Sequence, residues 1–128
     1  MNRREQRIKA MQLLYNADFN NISILDTIKN VKEDNKNDEI LTFLNMVNDN
    51  LEKIDNIINK SINNYSIDRL NMVDRAIIRL ATAEMISGVD KKIAINEALE
   101  ITKEFSDQGD HKAVSFNNKL LDNIAKNI

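Results

Sequence analysis

Residues 37–62 read NDEILTFLNMVNDNLEKIDNIINKSI, and their apolar members decide the fold class. Ile40, Leu44, Val47, Leu51, Ile54, Ile58 and Ile62 follow one another by steps of three and four, the spacing that lines up one face of an α-helix. Asn37 or Asp38 supplies an N-terminal cap, and one long helix is expected.

Working outward, the same period recurs along the chain. Ile8, Met11, Leu14, Tyr15 and Phe19 place a first helix over about residues 2–18, and Ile22, Leu25, Ile28 and Val31 a short second one that dissolves into the polar loop KEDNKNDE. Beyond the long helix, Ser66 can cap a fourth with the stripe Leu70, Val73, Ile77 and Leu80, ending at Ser87-Gly88, where glycine takes the left-handed C-terminal position. Asp90 or Asn96 opens a fifth, with Ile95, Ala98, Leu99, Thr102 and Phe105 inward. The polar loop SDQGDH follows, and then a last helix with Phe116, Leu120, Ile124 and Ile128 at four-residue steps. With no proline and only Gly88 and Gly109, the chain lacks the turn residues on which hairpins depend. The expectation is all-α: a single compact bundle of six or seven helices. The many asparagines read as compositional bias without chemistry.

At 128 residues the chain suffices for one domain, 1–128, burying about 65% of its unfolded surface. It has no cysteine, hence neither a disulfide framework nor a thiolate metal site, and a reducing cytoplasm is the expected compartment. Its basic start is followed by Lys9, Gln12, Asn16 and Asp18 among the apolar residues, which is not a signal-peptide core, so this segment is expected to stay on the mature protein. No run approaches the roughly 20 apolar residues that span a bilayer, and no membrane partner is expected.

Catalysis has little to work with. The one histidine, His111, lies in a polar loop, there is no thiol nucleophile, and neither glycine belongs to a phosphate-binding loop. No enzyme, metal or cofactor is expected. Glu84 continues the apolar stripe of the fourth helix by one turn, so it must find a donor inside the protein or stand at the rim of a partner surface. Arg75 and Arg79 form an i,i+4 pair suited to a solvated or salt-bridged face.

The basic start is the unusual feature: Arg3, Arg4, Arg7 and Lys9 fall within nine residues of a chain whose net charge is −2. Cations at the positive end of a helix cost a few tenths of a kcal/mol, so stability alone does not select them. Guanidinium groups beside free backbone N–H groups suit phosphate, and arginine also stacks on bases. The cluster fits either a local nucleic-acid site of modest, salt-dependent affinity, with Tyr15 and Phe116 as stacking surfaces, or a basic terminus that only aids solubility.

Three stretches together resemble the NusB family of transcription antitermination factors: RREQRIKAMQLLY (3–15), DRLNMVDRAIIRLATAEM (68–85), and KKIAINEALEITKEF with the later FNNKLLDNI. The resemblance runs from residue 3 to about 124. It implies a helical domain that binds a boxA-type single-stranded RNA element of ribosomal RNA transcripts together with a small ribosomal protein, NusE, and joins the RNA polymerase antitermination complex. By motif, Arg3, Arg4 and Arg7 would contact RNA phosphates, Gln12 and Tyr15 would sit close to the RNA, and Phe116 would stack on a base, while Lys119, standing where the motif has glycine, would either add a phosphate contact or mark the loss of the close approach that glycine allows. Tyr15, Phe19, Asp74 and Arg75 would meet the protein partner. Both monomers and dimers occur in the family, so a homodimer is a further implied partner. The chain departs from the family pattern at Tyr65, Ala83, Asp90 and Lys119, and its loop 106–115 is a few residues longer.

Two other readings compete. A helical interaction module would use this fold to bind proteins without RNA, and would tolerate charge reversal at Arg3 and Arg7. NusB-like domains also precede catalytic domains of rRNA cytosine methyltransferases, but that reading needs a nucleophilic cysteine and a cofactor pocket, and the sequence contains no cysteine.

Overall fold

The computed structural model describes residues 1–63 and 66–128, and for Asn35 the backbone alone; Tyr65 lies outside the described residues. Among these the regular elements are all helical: α1 (Arg3–Phe19), α2 (Ile24–Lys29), α3 (Asp38–Asp49), α4 (Leu51–Ser61), α5 (Met72–Ile86), α6 (Lys91–Phe105) and α7 (Lys112–Lys126), with 3-10 turns at Glu33–Asn35 and Ile67–Arg69.

Asparagine does the work that proline and glycine usually share at helix ends. Asn2, Asn37 and Asn71 cap α1, α3 and α5 by accepting backbone N–H groups of Glu5, of Glu39 and Ile40, and of Asp74. Asn20, Asn30, Asn50 and Asn127 occupy C-terminal caps, and Asn21 takes a left-handed conformation at φ 57°. The asparagine bias therefore does carry chemistry, contrary to its reading from sequence.

Two boundaries differ from expectation. The long third helix is two, because Asn50 adopts φ −122° and ψ 16° and donates its side-chain amide to the Met46 carbonyl at 2.9 Å. The apolar spacing continues through the break, which is why periodicity alone missed it. Ser66 precedes only the 3-10 turn, and Asn71 is the cap of α5. Of the alternatives at the start of α6, Asp90 caps it, accepting from the Ile93 N–H at 3.1 Å.

Helix α5 is the centre of the bundle. Eleven of its fifteen residues, from Asp74 to Met85, are buried, and α1, α3, α4, α6 and α7 pack around it. Helix α1 lies antiparallel to it, since Arg7 near the start of α1 meets Glu84 near the end of α5 while Asp18 meets Arg75 at the opposite ends. The contact face of α1 is Arg7, Ala10, Met11, Leu14 and Ala17, rotated from the stripe of large residues. The two alanines let the helix axes approach, and Ile8 and Tyr15 move to the flank, leaving Phe19 64% exposed. The same rotation buries Ala94, Ala98, Ile101 and Thr102 of α6 and Asn117, Leu120, Leu121 and Ile124 of α7, and turns Phe105, Phe116 and Ile128 outward.

Candidate nucleic-acid interface

The arginines that open the chain do not form a bare positive patch. Each meets a carboxylate from a different helix. Arg3 donates from Nη1 to Glu39 of α3 at 2.6 Å, and its guanidinium lies over the Phe43 ring, 4.4 Å from the centroid. Arg4 grips Glu97 of α6 with two parallel bonds, Nε to Oε1 at 3.0 Å and Nη2 to Oε2 at 2.8 Å. Arg7 turns inward, where it is 6% exposed and forms three bonds of 2.8–3.1 Å to Glu84, itself 2% exposed. Its Nη1 also stands 3.5 Å from Glu97.

This corrects the role expected of Arg7. A guanidinium sealed against a buried carboxylate is not presented to an RNA backbone, and its place on the contact face, four residues before Met11 and seven before Leu14, was the signal for an inward position. Glu84 is internal. At the surface, the hydrogen bond from Arg4 lowers the carboxyl pKa of Glu97, with burial opposing and the charges of Arg4 and Arg7 assisting. The same bond raises that of Arg4.

Asp74 and Arg75 are also largely buried, and their polar atoms are engaged within the protein, with Asp74 at the edge of a surface depression. Asp74 Oδ1 accepts the Ser106 hydroxyl at 2.7 Å and the Asn117 amide at 3.0 Å, and Oδ2 accepts the Asn71 amide at 2.8 Å. Arg75 donates from Nε to Asp18 at 2.7 Å, and Arg79 holds Asp55 with two bonds of 2.9–3.0 Å. Asp74 thereby ties the starts of α5 and α7 to the end of α6, and Arg75 ties α5 to α1.

Around that junction run three depressions. The first, about 450 Å³, is lined by Lys9, Gln12, Tyr15 and Asn16 of α1 with Val73 and Phe105. The second, about 360 Å³, begins at the adjacent residues Asp74 and Ser106 and includes Arg69, Gln108, Lys112 and Phe116. Phe116 also lines the third, about 200 Å³, with Ser61, Ile62, Lys119 and Asn123. The structure thus brings Gln12 together with Tyr15, and Phe116 with Lys119, while Arg3 and Arg4 line none of the three. Tyr15 stacks on Phe19 with ring centroids 5.9 Å apart. Lys9, Asn16, Phe105 and Lys112 also line these depressions; the sequence places Lys9 only with the basic start, and assigns none of the four to RNA. For the first two, the spacing Lys9, Gln12, Asn16 on one face of α1 was the available signal.

Among the described residues no three His, Cys, Asp or Glu side chains gather in a way that could hold a metal ion, and no helix is long and apolar enough to cross a membrane. His111 is exposed and begins α7 in a left-handed conformation, φ 61°. The fold and this surface define the class: an all-helical bundle whose outer face sets aromatic, amide and cationic side chains side by side.

Residues 4–126 match the NusB family, and the chain belongs to it. The transcription antitermination protein NusB of Listeria innocua is 39% identical over 127 residues, covering 98% of this chain and 97% of its own. Its counterpart in Bacillus subtilis is 37% identical over 131 residues, covering 100% and 98%. Among solved structures, T. maritima NusB superposes with a TM-score of 0.82 at 27% identity, over 98% of this chain and 92% of that one. A complex of the antitermination factors NusB and NusE with dsRNA matches with a TM-score of 0.76 at 28% identity, over the whole of both chains.

Proposed function

We propose that this chain acts as a single cytoplasmic domain that binds a boxA-type RNA element of ribosomal RNA transcripts together with a NusE-like ribosomal protein, and that the assembly joins the RNA polymerase antitermination complex. The observation that carries the RNA part is the sequence of depressions from α1 to α7. Their aromatic surfaces, Tyr15, Phe105 and Phe116, alternate with Lys9, Gln12, Lys112 and Lys119. Flat rings for bases beside cations and amides for the backbone are what single-stranded RNA requires. Arg3 and Arg4 add charge at the start of α1. Arg7 has a different task, fixing α1 against α5 so that this surface is held in place. The protein partner is assigned to Tyr15, the exposed Phe19, Asp74 and Arg75, the last tied to this end of α1 by its bond to Asp18.

A fluorescent boxA-like RNA titrated with the purified protein, alone and with a NusE-like partner, at several salt concentrations, tests the reading. The same sequence in single- and double-stranded form separates the two RNA shapes. Affinity should rise with the partner and fall with salt, and Phe116→Ala and Lys119→Ala should each weaken it about tenfold, the loss of one stacked base or one phosphate contact. Lys119→Ala should also flatten the salt dependence. RNA binding that is absent even with the partner present overturns the reading.

A second reading, a protein-interaction module that does not bind RNA, is favoured by one observation: the three guanidiniums are all paired with acids, while Phe19, Ile22 and Leu25 are exposed. Retained association with the partner and no RNA affinity would establish it.

A further inference from the structure

The three arginines at the start of the chain are each met by an acid brought to them from another helix. Arg3 faces Glu39, Arg4 faces Glu97 and Arg7 faces Glu84. Glu100 and Glu104, farther along α6, add to the negative field at Arg4. Only Arg3 and Arg4 reach solvent, with about half of each side chain exposed. The edge of Arg4 that grips Glu97, Nε with Nη2, is one of the edges by which a guanidinium grips a phosphate.

We infer that Glu39 and Glu97 are built-in competitors for the RNA backbone, so that a phosphate reaches Arg3 or Arg4 by exchange with a carboxylate, and these two acids set the protein's RNA affinity. The inference rests on the RNA-binding reading above and concerns the two arginines that add charge at the start of α1. The Arg3–Glu39 pair is about half exposed on both sides and so weakly held, and Arg4 keeps 49% of its side chain in solvent although Glu97 keeps 19%, so a phosphate has access to both guanidiniums. A guanidinium already neutralised by an acid gives little long-range attraction to RNA, which keeps binding by this chain alone weak and leaves the depressions and the protein partner to select the site. The paired acids thus explain how a strongly basic sequence start avoids indiscriminate nucleic-acid binding.

The test is a titration of a fluorescent boxA-like RNA with the full chain carrying Glu39→Gln, Glu97→Gln, both, or Glu52→Gln. Glu52, exposed on α4, changes the net charge equally without facing an arginine in the described contacts. Each of the first two substitutions should tighten binding about threefold, and the pair about tenfold, from removal of one or two nearby negative charges. The pair should also steepen the slope of log affinity against log salt by about one. Glu52→Gln should leave both unchanged. Adding Arg3→Ala and Arg4→Ala to the double glutamine variant should abolish the gain. Glu39 is half exposed, so Glu39→Gln retains the fold, and thermal melting checks the others. Unchanged or weaker RNA binding in folded glutamine variants overturns the inference while the RNA reading stands, and so does a gain that survives loss of both arginines. Absence of RNA binding in wild type and every variant, with the partner present, overturns both.

Discussion

The two ends of α1 solve opposite electrostatic problems with the same partner helix. At its start the helix carries Arg3, Arg4 and Arg7, where the macrodipole is already positive, and at its end it carries Asp18, where the dipole is negative. Both are locally unfavourable placements, and both are compensated by tertiary contacts. Glu84 of α5 receives Arg7 at one end, and Arg75 of α5 donates to Asp18 at the other, with Met11, Leu14, Ile77 and Leu80 buried between. The difference lies in water. Arg7 and Glu84 are sealed, whereas the Asp18 side chain keeps 26% of its exposure and Arg79 approaches it at 3.9 Å as a second cation. Charges misplaced for the helix alone therefore fix the antiparallel register of α1 on α5, and burial decides how much each end matters.

The largest expected effect is at the sealed end. Glu84→Ala leaves a buried guanidinium without its carboxylate and should lower unfolding free energy by about 3–5 kcal/mol, read from the denaturant midpoint at constant slope. Replacing both partners by apolar residues, Arg7→Met with Glu84→Leu, should restore most of that loss, because no buried charge remains. A single variant as stable as wild type would mean that water reaches the pair.

At the open end the same operation should cost less. Asp18→Ala removes the partner of Arg75, but solvent reaches the site and Arg79 retains Asp55, so about 1–3 kcal/mol is expected. Equal losses at the two ends would show that burial is not what separates them.

Helix type and approximate position were legible because the 3.6-residue period survives in every long element. Which face packs was less legible. Large apolar residues were counted as core, yet the tightest contact, α1 on α5, is made through Ala10 and Ala17, whose small size carries little hydrophobic signal but permits close approach. Phe19, Phe105 and Phe116, counted inward by spacing, lie at the surface instead. The family could be recognised in motifs such as VDRAIIRLATAEM, which mostly specify the centre of the bundle. The acids opposite the arginines could not, because Glu39, Glu84 and Glu97 lie 36, 77 and 93 residues from their partners and only the folded chain brings them together. A basic cluster in sequence is not yet a basic surface.

The smallest effect concerns the exposed pair one turn from Arg7, and it is resolved by pH. Hydrogen bonding by Arg4 holds the Glu97 carboxyl below its ordinary range, so the folded state binds that proton less readily than the unfolded chain does. The resulting stabilisation is fully present above the unfolded value, and it is lost as pH falls through the lower, folded value. Glu97→Gln removes the titrating group and with it this dependence. The gap in unfolding free energy between wild type and Glu97→Gln should thus be constant near neutral pH and narrow through the acid carboxylate range, and Arg4→Ala should shrink it, since Arg4 is the first cause of the shift. A gap that stays flat down to the acid limit would show that Arg4 and Glu97 are not coupled in solution, and Arg4 would then be an unbalanced cation on the surface, distinct in kind from Arg7 one turn away.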